Sequence, residues 1–259
     1  MTRASLDTDL LAALVAVAGV ATLLVACDVD GTISPIVDHP ADAVVDPDAL
    51  STLAALARMP GTPVALVSGR ALLELTAMTD LGPEVILVGS HGAEHGDYVA
   101  VAPTRALALE QLLRDVRAIT DGVAGVVVEE KAMGVAVHVR RSSRADAERV
   151  TSEVVAGPST RAGVRTTHGK EVVELSVVEA DKGRALDRLR EETAADAVVF
   201  AGDDVTDETA FARLRPTDVG IKVGPGHTAA RFRVETTEDV STLLAALAQA
   251  RATRPLSDL

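Results

Sequence analysis

Five stretches of this chain are short, rich in β-branched residues and apolar almost from end to end: residues 22–27, 63–68, 84–89, 197–202 and 218–224. A strand with one wet face alternates apolar and polar residues. Runs like these suit a strand covered on both faces, as in a parallel sheet. Between them the spacing turns helical. Residues 46–58 open with Asp46 as N-cap and Pro47 at the first helical position, and residues 180–193 and 238–250 carry the same period. Strand and helix in alternation predict an α/β fold with a doubly wound parallel sheet, and such a sheet places its site at the carboxyl ends of the strands.

One region breaks the rhythm. Residues 103–178 read as helix, two strands, helix, two strands: a small antiparallel sheet with both helices on one face. The expected organisation is therefore a core of residues 1–102 and 179–259 with an inserted α+β cap of residues 103–178. In residues 134–140, Val135, Val137 and Val139 share one face, and Ala136, His138 and Arg140 share the other. Lys170 and Glu174 likewise share a face. With the helices on the apolar side, the polar side is free to turn toward the core.

The first apolar run needs a separate decision. Leu10 to Cys27 carries no charge, and Leu24-Val25-Ala26-Cys27 resembles a lipoprotein processing site. An export signal wants a positive start, yet Arg3 is offset by Asp7 and Asp9. Cleavage before Cys27 would also remove the strand that aims Asp28. The run therefore divides into a helix and a strand. Ser5 is the expected N-cap, Asp7 lies in the first turn, and Leu6, Leu10, Leu14, Val17 and Ala21 form the buried stripe. Cys27 is then a small core thiol, and the expected location is the cytoplasm, away from any membrane.

The strand ends carry the chemistry. Asp28-Val29-Asp30-Gly31-Thr32 follows the first strand, with both acids on one side and a tight turn at Gly31. Carboxylates this close need a cation between them or a shared proton. That suits a Mg²⁺ site, or one acid attacking while the other moves a proton. The plainer reading is a helix cap beside a turn acid. Ser68-Gly69-Arg70 after the second strand offers a hydroxyl and a guanidinium for a phosphate, or merely a cap and a surface arginine. Asp203, Asp204, Asp207 and Glu208 crowd four acids into six residues after the fourth strand. Lys182 opens a helix, where a cation opposes the dipole. A formal charge of -13 argues against nucleic acid as a partner, and one cysteine excludes an internal disulfide.

Taken in this order, the four signals resemble the haloacid dehalogenase superfamily of phosphatases. The resemblance implies Asp28 as nucleophile and Asp30 as proton donor and then base. It implies Ser68 and Lys182 as holders of the phosphoryl group. It also implies Mg²⁺ bound by the Asp28 carboxylate, the Asp30 carbonyl and Asp203, with Asp207 close by. Residues 88–94, 129–140, 168–175 and 202–211 further resemble the trehalose-6-phosphate phosphatases. That implies a phosphorylated disaccharide as substrate and a place in trehalose biosynthesis. Glu130, Lys131 and Glu174 would be the leading sugar contacts, joined by His138, Arg140 and Lys170, with Arg70, His91 and Gly92 at the mouth. Phosphatases of sucrose phosphate, glucosylglycerol phosphate or mannosylglycerate phosphate are the alternatives within this class. A phosphoryl-accepting regulatory domain also places acids and a lysine at strand ends, but it lacks the second acid of the first motif and is too short for the insertion. A lipoprotein tethered through Cys27 is the third alternative. The oligomeric state is left open, with a monomer the simplest expectation.

Overall fold

The structure is a computed structural model that describes residues 7–37, 42–95, 98–99, 103–131, 133–169, 171–177 and 181–254, with backbone alone at 98–99 and 103–105. The chain begins α1 (Thr8–Ala18), β1 (Leu23–Cys27), α2 (Pro47–Ala57), β2 (Val64–Val67), α3 (Leu72–Thr79), β3 (Val85–Gly89), β4 (Glu94–His95) and β5 (Tyr98–Val99). It continues α4 (Pro103–Thr120), β6 (Val127–Lys131), β7 (Gly134–His138), α5 (Arg144–Ala156), β8 (Arg165–Gly169) and β9 (Val172–Ser176). It closes with α6 (Lys182–Thr193), β10 (Ala197–Gly202), α7 (Val205–Phe211), β11 (Val219–Val223), β12 (Phe232–Val234) and α8 (Thr237–Ala252). Two compact units result: Met1–Asp97 with Asp181–Leu259, and Tyr98–Ala180.

The larger sheet runs β12-β11-β10-β1-β2-β3-β4-β5. Every pairing from β12 to β3 is parallel, and β4 returns antiparallel along β3. Alternation along β1 divides the core between the two faces. Leu23, Val25 and Cys27 pack with α1, α2 and α8 through Leu10, Leu14, Leu53, Leu56, Leu243 and Leu247. Leu24 and Ala26 pack with α6 and α7 through Leu186, Leu189 and Phe211. This is the doubly wound α/β sheet that the apolar strands predict. Each fully buried leucine contributes about 1.5–3 kcal/mol, so both helix layers are tied firmly to the central strand.

The uncharged N-terminal run divides as expected, into α1 and β1. The cap differs: Asp7 accepts the Asp9 N–H at 2.7 Å and begins the helix, while Ser5 and Leu6 lie outside the described residues. Asp, like Ser, is a strong N-cap, and the shift of two residues leaves Leu10, Leu14, Val17 and Ala18 as the buried stripe, with Ala21 exposed beyond the helix end. Among the described residues no helix is long and apolar enough to cross a membrane. Arg251, in the last turn of α8, is buried and donates to the carbonyls of Ala18, Val20, Ala21 and Gly61 and to Thr62 Oγ1. It closes the chain back onto the α1–β1 connection.

The second unit is a four-stranded antiparallel sheet in the order β6-β7-β9-β8. Val135, Val137, Val173 and Leu175 are buried on one face, as are Leu112 and Val116 of α4 and Val150 and Val154 of α5. The register aligns Glu129, Ala136, Glu174 and Thr167 across the four strands, which puts these on the opposite face.

Candidate active site

The residues that converge come from the carboxyl ends of β1, β2 and β10 and from the start of α6. Asp28 follows β1 directly, and its N–H donates to the Ala201 carbonyl at 2.9 Å, extending the ladder by one residue. Gly31 then turns at φ +82°, a conformation that glycine takes without strain, and any side chain here would collide with the Asp203 carboxylate. The loops after β1 and β10 are thereby in contact. Phe200 of β10 and Phe211 of α7 meet edge to face at 5.5 Å, which anchors the acidic loop between them.

Lys182 is the electrostatic centre. It is 2% exposed, and its ammonium lies 2.8 Å from Asp28 Oδ1 and 2.8 Å from Asp207 Oδ1. Burial alone would lower its pKa, but Asp28 and Asp207 more than reverse that and raise it. Asp207 uses its other oxygen to accept the N–H groups of Asp203 at 3.0 Å and Asp204 at 2.9 Å. It therefore holds both the lysine and the loop. Asp204 itself is exposed.

Asp28, Asp203 and Asp207 each bring a carboxylate oxygen within 4.8 Å of the others. Burial, with Asp207 adding to it against the pull of Lys182, pushes Asp28 up to about 8. Burial, with Asp207 and Asp204 adding to it against Lys182 and Lys222, pushes Asp203 up to about 6. Asp203 Oδ1 is buried with no hydrogen-bond partner. An all-oxygen donor set, an acid excess over the paired lysine and one unpartnered buried carboxylate oxygen fit a hard divalent cation.

Asp30 is engaged elsewhere. Arg70 forks onto it, Nε to Oδ2 at 2.7 Å and Nη2 to Oδ1 at 2.6 Å, and this pairing raises the arginine's pKa. Ser68 is fully buried, and its Oγ accepts the Arg70 N–H at 3.1 Å. His91 sits at φ +54° with its ring against Gly69, where a side chain would not fit. The Gly92 carbonyl accepts from Arg188 of α6 at 3.0 Å.

The cap residues divide. Lys131 pairs with Glu174 at 2.7 Å, and His138 Nε2 pairs with Glu129 at 2.8 Å, all on the sheet face opposite the buried valines. Arg140 lies 3.3 Å from Glu171. Glu130 does not join them. One residue on from Glu129, it projects to the helix side and pairs with Arg117 of α4. Glu130 is thus set apart from Lys131 and Glu174, and Glu129 lies on the open face with them. Lys170 lies outside the described residues.

The trehalose-phosphatase family model matches residues 26–241, from the end of β1 into α8. The chain belongs to the trehalose-phosphatase family. It is 36% identical over 240 residues to the trehalose-phosphate phosphatase of Mycobacterium ulcerans (strain Agy99), a match that takes in 85% of this chain and 60% of that protein. The chain thus spans about three fifths of the length of the curated relatives that it matches first. In fold it is similar to Aspergillus fumigatus trehalose-6-phosphate phosphatase, with a TM-score of 0.71 and 24% identity over 95% of this chain and 98% of that one. It is similar also to the C-terminal domain of C. albicans trehalose-6-phosphate phosphatase, with a TM-score of 0.74 and 21% identity over 96% and 99% of the two chains.

Two further buried charges at the site are not singled out by the sequence reading. Lys222 of β11 is 4% exposed and donates to the carbonyls of Asp203 and, at 2.7 Å, Val223. A lone lysine inside the otherwise apolar Val219–Val223 is the signal that could have found it. Glu94 is the other. Its only sequence cue is its place three residues after His91, at the end of the stretch of residues 88–94.

Proposed function

We propose that the chain is a Mg²⁺-dependent phosphatase that hydrolyses trehalose 6-phosphate to trehalose and inorganic phosphate through an aspartyl-phosphate on Asp28. The observation that carries this reading is the buried Asp28–Lys182–Asp207 array beside the unpartnered Asp203 oxygen. Membership of the trehalose-phosphatase family supports the substrate.

An Asp28 oxygen attacks phosphorus, the P–O bond to the sugar breaks, and Asp30 gives its proton to the departing sugar oxygen. Asp30, now a carboxylate, takes a proton from water as that water attacks the same phosphorus. The P–O bond to Asp28 breaks, phosphate leaves, and Asp28 is restored. Arg70, which forks onto Asp30, aims that carboxyl group. Ser68 Oγ and the Lys182 ammonium hold the phosphoryl oxygens, so the work is mostly positioning and charge neutralisation. Asp28, Asp203 and the Asp30 carbonyl, with Asp207 close by, would hold a divalent cation, which would supply positive charge to the phosphoryl group. In the cap, residues 103–178, the open-face groups Glu129, Lys131, His138, Arg140 and Glu174 take the sugar hydroxyls. Selectivity rests on directional hydrogen bonds, since the chain has no Trp, one Tyr and three Phe for stacking. The expected setting is the cytoplasm.

Asp28→Asn tests the nucleophile. The variant should keep the wild-type circular dichroism spectrum, lose turnover, and yield no acid-stable, hydroxylamine-labile phosphoprotein when quenched with labelled substrate. Turnover by the folded variant would remove Asp28 from the role.

A further inference from the structure

Glu94 is 5% exposed, and both its oxygens are engaged, one by the loop after β2 and one within its own loop. Oε2 accepts the Leu72 N–H at 2.5 Å, and Oε1 accepts the Ser90 hydroxyl at 3.0 Å. Helix α3 needs this help. Its own N-cap is Ala71, which has no side-chain acceptor, so a carboxylate from 22 residues away caps it. Ser90 and His91 follow one another at φ +47° and +54°, where non-glycine residues stay only if their surroundings hold them. Their backbone N–H groups donate to the carbonyls of Arg70 at 2.7 Å and Ser68 at 2.8 Å. The loop after β2 and the loop after β3 are stitched together at Ser68, Arg70 and Leu72; Glu94 supplies the bond to Leu72 across the seam and braces Ser90 within its own loop.

Arg70 stands in the middle of this seam. Its carbonyl is held by Ser90, and Leu72, two residues on, is held by Glu94. Its guanidinium delivers two parallel bonds to Asp30. We propose that Glu94 is a positioning residue: it fixes Arg70, and through Arg70 the Asp30 carboxyl group, where the leaving sugar oxygen needs its proton. This rests on the phosphatase reading above for what Asp30 does, and on geometry alone for what Glu94 holds.

The test compares Glu94→Ala, Glu94→Gln and Ser90→Ala in the full chain with added Mg²⁺. Two substrates are used: trehalose 6-phosphate, whose alkoxide needs a proton, and p-nitrophenyl phosphate, whose phenolate leaves without one. Glu94→Ala should lower kcat for the sugar phosphate about tenfold or more, as expected for a displaced proton donor, and lower it much less for the nitrophenyl ester. Glu94→Gln still accepts from Leu72 and reaches Ser90, and it should largely rescue the loss. Ser90→Ala removes one stitch and should fall between; it carries the test if Glu94→Ala fails to fold. Equal losses on both substrates would overturn the proposal, because a general structural defect does not distinguish leaving groups. The Arg70 Nε–H resonance gives a readout independent of turnover. Its slow exchange with water should be lost in Glu94→Ala and kept in Glu94→Gln; unchanged protection in Glu94→Ala would overturn the proposal. If the wild type cleaves neither ester, the phosphatase reading fails, and the Arg70 resonance still decides whether Glu94 holds Arg70.

Discussion

Binding of a divalent cation should expel a proton, and the site fixes how many. Without a cation, burial pushes Asp28 up to about 8 and Asp203 up to about 6. At pH 7 Asp28 is then about nine-tenths protonated and Asp203 about one-tenth. Ligation needs both as carboxylates, so binding releases about one proton per cation at that pH. The sign follows from the direction of the shift. Asp28 sits above the ordinary carboxylate range, so its proton is present below pH 8 and gone well above it. Release should be greatest on the acid side of pH 6 and fall away as the pH rises through about 8. Affinity should rise about tenfold per pH unit between 6 and 8 and then level off. Isothermal titration of Mg²⁺ into the protein, in buffers of different ionisation enthalpy, reads the proton count as a slope. A count near zero from pH 6 to 8, with binding intact, would show that neither acid carries a proton to lose. It would mean that Asp28 is already ionised and that Lys182 outweighs its burial.

Two further outcomes follow from single residues. Arg251→Met keeps most of the side-chain volume but removes five hydrogen-bonded contacts and leaves the Ala18 carbonyl without its donor, while Arg254 still serves Val20 and Ala21 and the Leu23 N–H still serves Gly61. Urea unfolding should show a loss of about 2–3 kcal/mol, with KM unchanged; a loss under about 1 kcal/mol would contradict its role as the tie between α8 and the α1–β1 connection. In the cap, Glu129→Gln should raise KM for trehalose 6-phosphate about tenfold, the scale of one charge-assisted hydrogen bond, whereas Glu130→Gln should stay within about twofold, since its surface pair with Arg117 is worth little. The reverse ranking in steady-state assays would overturn the assignment of faces.

Much of this was legible in the sequence because the features are periodic. A strand buried on both faces must be apolar throughout, and the residue after it must emerge at the sheet's edge, so Asp28, Ser68 and Asp203 could be placed by counting. Lys182 was legible as a cation out of place at a helix start. Glu130 shows where the resemblance outran the counting. It and Lys131 are adjacent in a strand and point to opposite faces, and Glu129 has the parity of Lys131. Ser5 and Asp7 are both good caps, and nothing local ranks them. Arg251 and Glu94 were illegible for another reason. The partners of Arg251 lie 189–233 residues away, and the Leu72 N–H that Glu94 caps lies 22 away; bonds to backbone groups leave little side-chain pattern to read.

The central claim is hydrolysis of one sugar phosphate at this site. The most direct measurement is phosphate release by the full chain with Mg²⁺ from a panel of trehalose 6-phosphate, sucrose phosphate, glucosylglycerol phosphate and mannosylglycerate phosphate, taken into the millimolar range. Release should show a clear kcat/KM preference for trehalose 6-phosphate and be abolished by chelation of the metal. Release from all of them alike would contradict the substrate, and release from none would contradict the phosphatase itself.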